Sequence, residues 1–173
     1  MGHKGERIMC TKKSVGFVQE SLGKKTWTGP IIDVGAGNES KYYKQLFEGQ
    51  EYVTLDRTQE PDSSIDILAD ILNMPQVKSN FYGVVLLCEV LEHLLNPFDA
   101  FKEAARILRP SGLFICTTVA AWPLHKHPFD FYRFMPDGLT HLCIMSGLEI
   151  FNGYYEPKNE TMGQACCVAA VKK

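Results

Sequence analysis

Apolar residues along the chain fall into short runs separated by polar and turn-forming stretches. The first run, Ile31-Ile32-Asp33-Val34, leads into Gly35-Ala36-Gly37-Asn38-Glu39-Ser40. A strand, a tight turn and a helix start fit this order, and Gly29-Pro30 marks where the strand begins. A helix is expected over 40–47, with Tyr43, Leu46 and Phe47 inward and Gly49 as its stop. Strands follow over 52–55, closed by Asp56, and over 65–68, followed by Ala69-Asp70; residues 57–64 between them are polar and turn-like. The almost wholly apolar run over 82–88 fits a central parallel strand buried on both faces. Asn96 then caps a helix with Pro97 at its first position. Phe98, Phe101, Ala105 and Leu108 give that helix one apolar stripe, and Pro110 and Gly112 end it. A fifth strand covers 113–118, and a long irregular stretch runs over 119–135. Pro136 opens another helix, with Leu139, Leu142 and Cys143 on one face and Gly147 after it. Two last strands, 148–152 and 165–171, flank a polar segment that suits an antiparallel pair. Before all of these, residues 1–28 are polar, and Val15, Val18 and Leu22 offer one or two amphipathic turns.

The resulting order is β-α-β-β-β-α-β-α-β-β. Strands alternating with helices indicate a three-layer α/β domain with a mostly parallel sheet. The expected organisation is a short arm over 1–28 and a single domain over 29–173. Hydrophobic residues are 45% and charged residues 22%, as in soluble globular proteins. The net charge of -2 argues against a nucleic-acid partner, which calls for a basic excess. No apolar run is long enough to span a bilayer, and no basic-then-apolar signal opens the chain, so the cytoplasm is the expected compartment. The 6 cysteines form no CxxC pair, and Cys88, Cys116, Cys166 and Cys167 lie in apolar runs, where a reduced thiol behaves as a small hydrophobe.

The chemistry gathers at strand ends. Asp33, Asp56 and Asp70 stand at the carboxyl ends of three successive strands. Asp56 lies about 20 residues past the glycine loop, where a carboxylate can reach the two hydroxyls of a bound ribose; a solvated strand end is the alternative. Asp70, one strand over, is in reach of an adenine amino group, or is a turn carboxylate. Nothing is built for phosphate. No Lys follows the glycines, and Glu39 stands at the helix start, where a pyrophosphate would have to sit. An adenosine carrying a cationic sulfonium suits this acidic pocket better than a dinucleotide.

On these residues the sequence resembles the class I methyltransferases that use S-adenosylmethionine, and among them the small methylases of ubiquinone and menaquinone biosynthesis. The carrying stretches are IIDVGAGNES, TLDRT, DILADILNMP, VVLLCEVLEHLLNPFDAFKEAARILRPSGLFICTT and FMPDGLTHLCIMSGLEI. The resemblance implies a Rossmann-like, three-layer fold with a seven-stranded, mostly parallel sheet whose last strand is antiparallel. It implies that Asp33, Gly35 and Gly37 line the methionine end of the cofactor, that Asp56 takes the ribose, and that Asp70 with Ile71 takes the adenine. Cys88 and Glu89 would lie beside the methionine moiety. The short arm leaves the pocket open or closed by a partner.

The implied activity is methyl transfer to an oxygen, nitrogen or carbon of a small-molecule acceptor. The sulfonium is already activated, so the enzyme mainly aligns the nucleophile, which supplies about 7–11 kcal/mol. A base for an oxygen or nitrogen nucleophile is sought in the loop over 125–134, where His127 and Tyr132 are the candidates, together with His93. Glu89, Glu92 and His93 are spaced i, i+3, i+4 and would share one face of a helical turn. With His125 or His127 they could hold a divalent cation, but the metal-free reading is preferred. Two other classes are a cofactor-holding module without catalysis and a nucleotide-dependent oxidoreductase; Glu39, Ser40 and CEVLEH count against the second.

Overall fold

The structure is a computed structural model that describes residues 3–59, 64–155 and 164–173, with side chains from Lys12 onward except that of Gln164. The expected turn over 57–64 and the polar connection over 153–164 therefore lie partly outside the described residues. The elements run α1 (His3–Lys24), β1 (Ile31–Val34), α2 (Ser40–Lys44), β2 (Tyr52–Asp56), β3 (Ile67–Leu68), β4 (Tyr82–Cys88), α3 (Pro97–Ile107), β5 (Leu108–Ala121), α4 (Pro136–Met145), β6 (Leu148–Tyr155) and β7 (Gln164–Lys172).

The seven strands form one sheet in the order β3-β2-β1-β4-β5-β7-β6. All neighbours are parallel except β7, which is antiparallel to both β5 and β6. The pleat sends alternate residues to opposite faces. Ile32, Val34, Val85, Leu87, Phe114 and Cys116 face one core, into which α3 and α4 pack. Ile31, Val84, Leu86, Leu113 and Ile115 face the other, which α1 and α2 cover through Phe17, Val18, Tyr43 and Phe47. The apolar run at 82–88 is buried at every position, as a strand covered on both faces must be. No helix among the described residues is long and apolar enough to cross a membrane.

Several elements differ from the sequence expectation. The arm over 1–28 is mostly one 22-residue helix, α1. Ser14, Phe17, Val18 and Ser21 on it are buried, so it is a layer of the domain. Its apolar stripe is narrow, and sheet burial rather than intrinsic propensity holds it. The helix expected over 40–47 is a single α-turn followed by a 3-10 turn at Gln45–Phe47. The third strand shortens to two residues. In α3 the Asn96 side chain caps the Asp99 N–H and Pro97 opens the first turn, as expected, but Phe98 is 46% exposed. Ala100 and Ala104 fill the inward positions instead, beside Phe101, whose ring meets Phe114 edge-on at 4.9 Å. The strand expected at 113–118 begins at Leu108, opposite Tyr82. Pro110, Ser111 and Gly112 thus sit in an irregularity inside β5 rather than in a helix stop.

Candidate active site

The chain leaves β1 toward β2 and β3 on one side and returns to β4 on the other. This reversal opens a crevice at the carboxyl ends of β1 and β4, where open α/β sheets bind ligands. The glycine loop lies there. The Gly35 and Ala36 N–H groups donate to Leu55 O at 2.7 and 3.0 Å, which folds the loop over β2. Gly35 has φ 77°, and a Cβ on it would meet Val90 Cγ2 at 2.2 Å, so only glycine fits. Gly37 is different: a Cβ there would meet nothing within 4 Å. The protein's own packing does not demand a glycine at 37; the space in front of it is open.

The three strand-end carboxylates lie along this crevice in three different states. Asp33 is buried, and its Oδ2 accepts from Ser40 Oγ at 2.5 Å and Tyr52 Oη at 2.7 Å. Burial raises its pKa against these two bonds. Burial and the Asp33 charge push the Tyr52 phenol up in turn. Asp56, the last residue of β2, accepts the Thr58 N–H at 2.9 Å and Thr58 Oγ1 at 3.2 Å through Oδ1, a local turn that aims the carboxylate. Asp70 accepts the Leu72 N–H at 2.9 Å, and Ile71 beside it is buried.

At the end of β4, Cys88 is buried, and burial drives its thiol pKa far up, so it packs rather than reacts. Glu89 takes φ 56°. Its N–H donates to Thr117 O at 2.8 Å, and its Oε1 accepts from Thr117 Oγ1 at 2.8 Å and Ser14 Oγ at 2.7 Å. This conformation corrects the expectation that Glu89, Glu92 and His93 share one helical face. Glu89 precedes the 3-10 turn at Leu91–His93, and its carboxylate is turned toward α1.

Glu92 is fully buried. Its Oε2 accepts from Thr118 Oγ1 at 2.8 Å, while its Oε1 has no hydrogen-bond partner. Burial, reinforced by the Glu89 charge, lifts its pKa to about 8, so the acid is mostly protonated at neutral pH. The loop after β5 is laid over this turn. Phe131 and Tyr132 donate their N–H groups to Glu92 O at 2.8 and 3.3 Å. Tyr132 Oη donates to Leu95 O at 3.0 Å, and His93 Nδ1 lies 2.6 Å from Phe129 O. Burial lowers the His93 pKa. The His93 ring centre is 4.9 Å from that of His125 and 5.8 Å from that of His127. Among the described residues, Glu92, His93 and His125 are the one group whose donor atoms come close enough, within 4.8 Å, to be shared by a cation.

Sequence reasoning missed three features here. Ser14 lay in a segment read as an arm. Thr117 and Thr118 were read only as strand residues. Asp130 and Arg133 form a bidentate pair, with Nη1–Oδ1 at 2.5 Å and Nη2–Oδ2 at 2.7 Å, that braces the loop from inside. Their i, i+3 spacing was the available signal. A separate hollow of about 440 Å3, bordered by Lys41, Phe47, Gln50 and Tyr52, lies at the opposite, amino-terminal edge of β2 and contains no strand-end carboxylate.

Comparison with known proteins agrees with this fold. Residues 32–116 match the Methyltransferase domain family, Methyltransf_11. Ubiquinone biosynthesis O-methyltransferase of Maricaulis maris is 45% identical over 38 residues, 22% of this chain and 15% of its own length. Cycloartenol-C-24-methyltransferase 1 of Oryza sativa subsp. japonica is 26% identical over 179 residues, 92% of this chain and 46% of its own length. The chain thus spans less than half the length of either relative. In structure it is similar to the 1,6-didemethyltoxoflavin-N1-methyltransferase of Burkholderia thailandensis, solved with 1,6-didemethyltoxoflavin and S-adenosylhomocysteine bound. The TM-score is 0.72 at 15% identity, covering 94% of this chain and 78% of that one. The chain thus has the fold of these solved methyltransferases, and residues 32–116 match a methyltransferase domain.

Proposed function

We propose that the chain is a cytoplasmic enzyme that binds S-adenosylmethionine in the β1–β4 crevice and methylates a small-molecule acceptor rather than nucleic acid. One observation carries the reading: open space in front of Gly37 lies beside the strand end where Asp56 is held by Thr58. A ligand that approaches the loop backbone and offers ribose hydroxyls to the next strand fits that arrangement. Asp33, Gly35, Gly37, Cys88 and Glu89 border its methionine end; Asp56 takes the ribose, and Asp70 with Ile71 takes the adenine. When bound, the cofactor supplies an electrophilic methyl group.

The loop over 122–134 covers the acceptor side. His93, His127 and Tyr132 contact the acceptor, and the cluster works without a metal. The net charge of -2 gives no field for a polyanionic acceptor.

Calorimetry with S-adenosylhomocysteine tests the reading. Asp56→Ala removes the ribose bonds and is expected to weaken binding by about 2–4 kcal/mol. Equal affinities for the variant and the parent would defeat the assignment.

A further inference from the structure

We propose that the hollow between α2 and the start of β2 is an effector site for a small aromatic compound carrying one negative charge, and that Tyr52 passes its occupancy on to Asp33. The consequence for the cofactor rests on the methyltransferase reading above.

The hollow follows from the local path of the chain. α2 is one α-turn that tightens into the 3-10 turn at Gln45–Phe47. Gly49 then takes φ 77°, and the Gln50 N–H donates to Phe47 O at 3.0 Å, so the chain reverses before β2 begins at Tyr52. This reversal encloses about 440 Å3 of space, within the size range of small-molecule sites. A Cβ on Gly49 would meet nothing within 4 Å, so the mouth is open on that side.

The walls set the ligand class. Phe47 and Tyr52 supply aromatic surface, with ring centres 5.6 Å apart, and Trp27 backs Phe47 edge-on at 5.7 Å. Lys41 and Lys44 line the same space, three residues apart on α2 and so on one side of it. Lys44 Nζ lies 5.9 Å from the Tyr52 ring centre, and Lys41 Nζ lies 5.1 Å from that of Tyr42. Among the described residues neither ammonium group is in an ion pair, so both charges are open to a ligand. Glu48 is the one acid among the described lining residues. Two lysines and one glutamate leave a single excess positive charge, which a monoanion balances. A dianion would add negative charge beside Glu48, and a neutral compound would leave the lysines unanswered.

Tyr52 belongs to both places. It borders the hollow, while its Oη donates to Asp33 Oδ2 at 2.7 Å. The second donor to that oxygen is Ser40 Oγ at 2.5 Å, and Ser40 opens α2, which carries Lys41 and Lys44. Both donors that fix Asp33 are thus mounted on walls of the hollow. A ligand packed between α2 and Tyr52 restrains both at once and favours the arrangement that Asp33 holds at the end of β1. Such coupling is reciprocal, so occupancy of the crevice favours the effector equally.

Carbon and nitrogen NMR of the full chain, with 3-phenylpropionate as the probe, tests this first without cofactor. Saturable shifts are expected at the Tyr52 ring, the Lys41 and Lys44 Nζ groups and the Asp33 carboxyl carbon. The neutral isostere 3-phenylpropanamide and the dianion phenyl phosphate are expected to bind at least threefold more weakly. The double variant Lys41→Gln, Lys44→Gln is expected to lose at least fivefold. Tyr52→Phe keeps a ring in the hollow and removes the bond to Asp33; it is expected to retain the lysine shifts and lose the Asp33 shift. Saturating probe is then expected to tighten S-adenosylhomocysteine binding at least twofold in the parent and not in Tyr52→Phe. Absent or unsaturable shifts, equal binding of the acid and the amide, or an unmoved Asp33 carbon overturns the assignment, and so does an S-adenosylhomocysteine affinity that the probe leaves unchanged. Failure of the parent to bind S-adenosylhomocysteine at all counts against the cofactor reading instead, because the probe shifts are read without it.

Discussion

Ser14 Oγ donates to Glu89 Oε1 at 2.7 Å across 75 residues of sequence. The bond ties α1, the first element, to the end of the central strand, where the methyl donor is proposed to lie. A segment that looked peripheral therefore helps set the floor of the site.

Ser14→Ala leaves Glu89 with one fewer donor. Hydrogen bonds to charged groups contribute about 1.5–3 kcal/mol, and Ser14 is fully buried. Urea unfolding is expected to show a loss of that order, with partial rescue by Ser14→Thr.

Glu92 makes stability depend on pH in a stated direction. Its folded pKa, about 8, lies above the ordinary 4.5, so the folded state holds a proton that the unfolded state releases in between. The stability linked to that proton is fully present below pH 4.5 and is lost as pH rises through 8. Denaturation midpoints should fall between pH 6 and pH 8.5 in the parent, and this fall should be reduced in Glu92→Gln. Equal slopes would mean that other groups carry it.

Two ion pairs at i, i+3 spacing should respond differently to removal of the cation. Lys102 and Asp99 are 62% and 46% exposed, so Lys102→Ala is expected to cost no more than about 0.5 kcal/mol. Asp130 is fully shielded, and Arg133 holds its pKa well below the usual range. Arg133→Ala strands that carboxylate and is expected to cost about 3 kcal/mol. Thermal melts of the two variants check the ordering.

Once an acceptor is known, His127→Ala and Tyr132→Phe are expected to spare S-adenosylhomocysteine binding and to lower methyl transfer at least tenfold. Transfer is expected to continue in excess EDTA. Recovery of EDTA-blocked turnover by Mg²⁺ would replace the metal-free reading.

The sequence by itself determined the strand count, the central position of 82–88 and the strand-end places of Asp33 and Asp56. Those follow from local rules: an apolar run long enough for one strand, a glycine where φ is positive, an Asn-Pro helix start. Tertiary structure alone decided the rest. α1 carries too narrow an apolar stripe to announce itself, and only the β5–β7 surface beneath it makes Phe17 and Val18 core residues. The E-x-x-E-H spacing suggests one face only if the backbone is helical. Glu89 at φ 56° breaks that assumption and sends its carboxylate to Ser14, while Glu92 is left facing His125. Helical periodicity cannot foresee such a turn, because it is set by the Thr117 and Thr118 hydroxyls, 28 residues beyond Glu89 and 26 beyond Glu92, which reach the chain only when β5 docks beside β4.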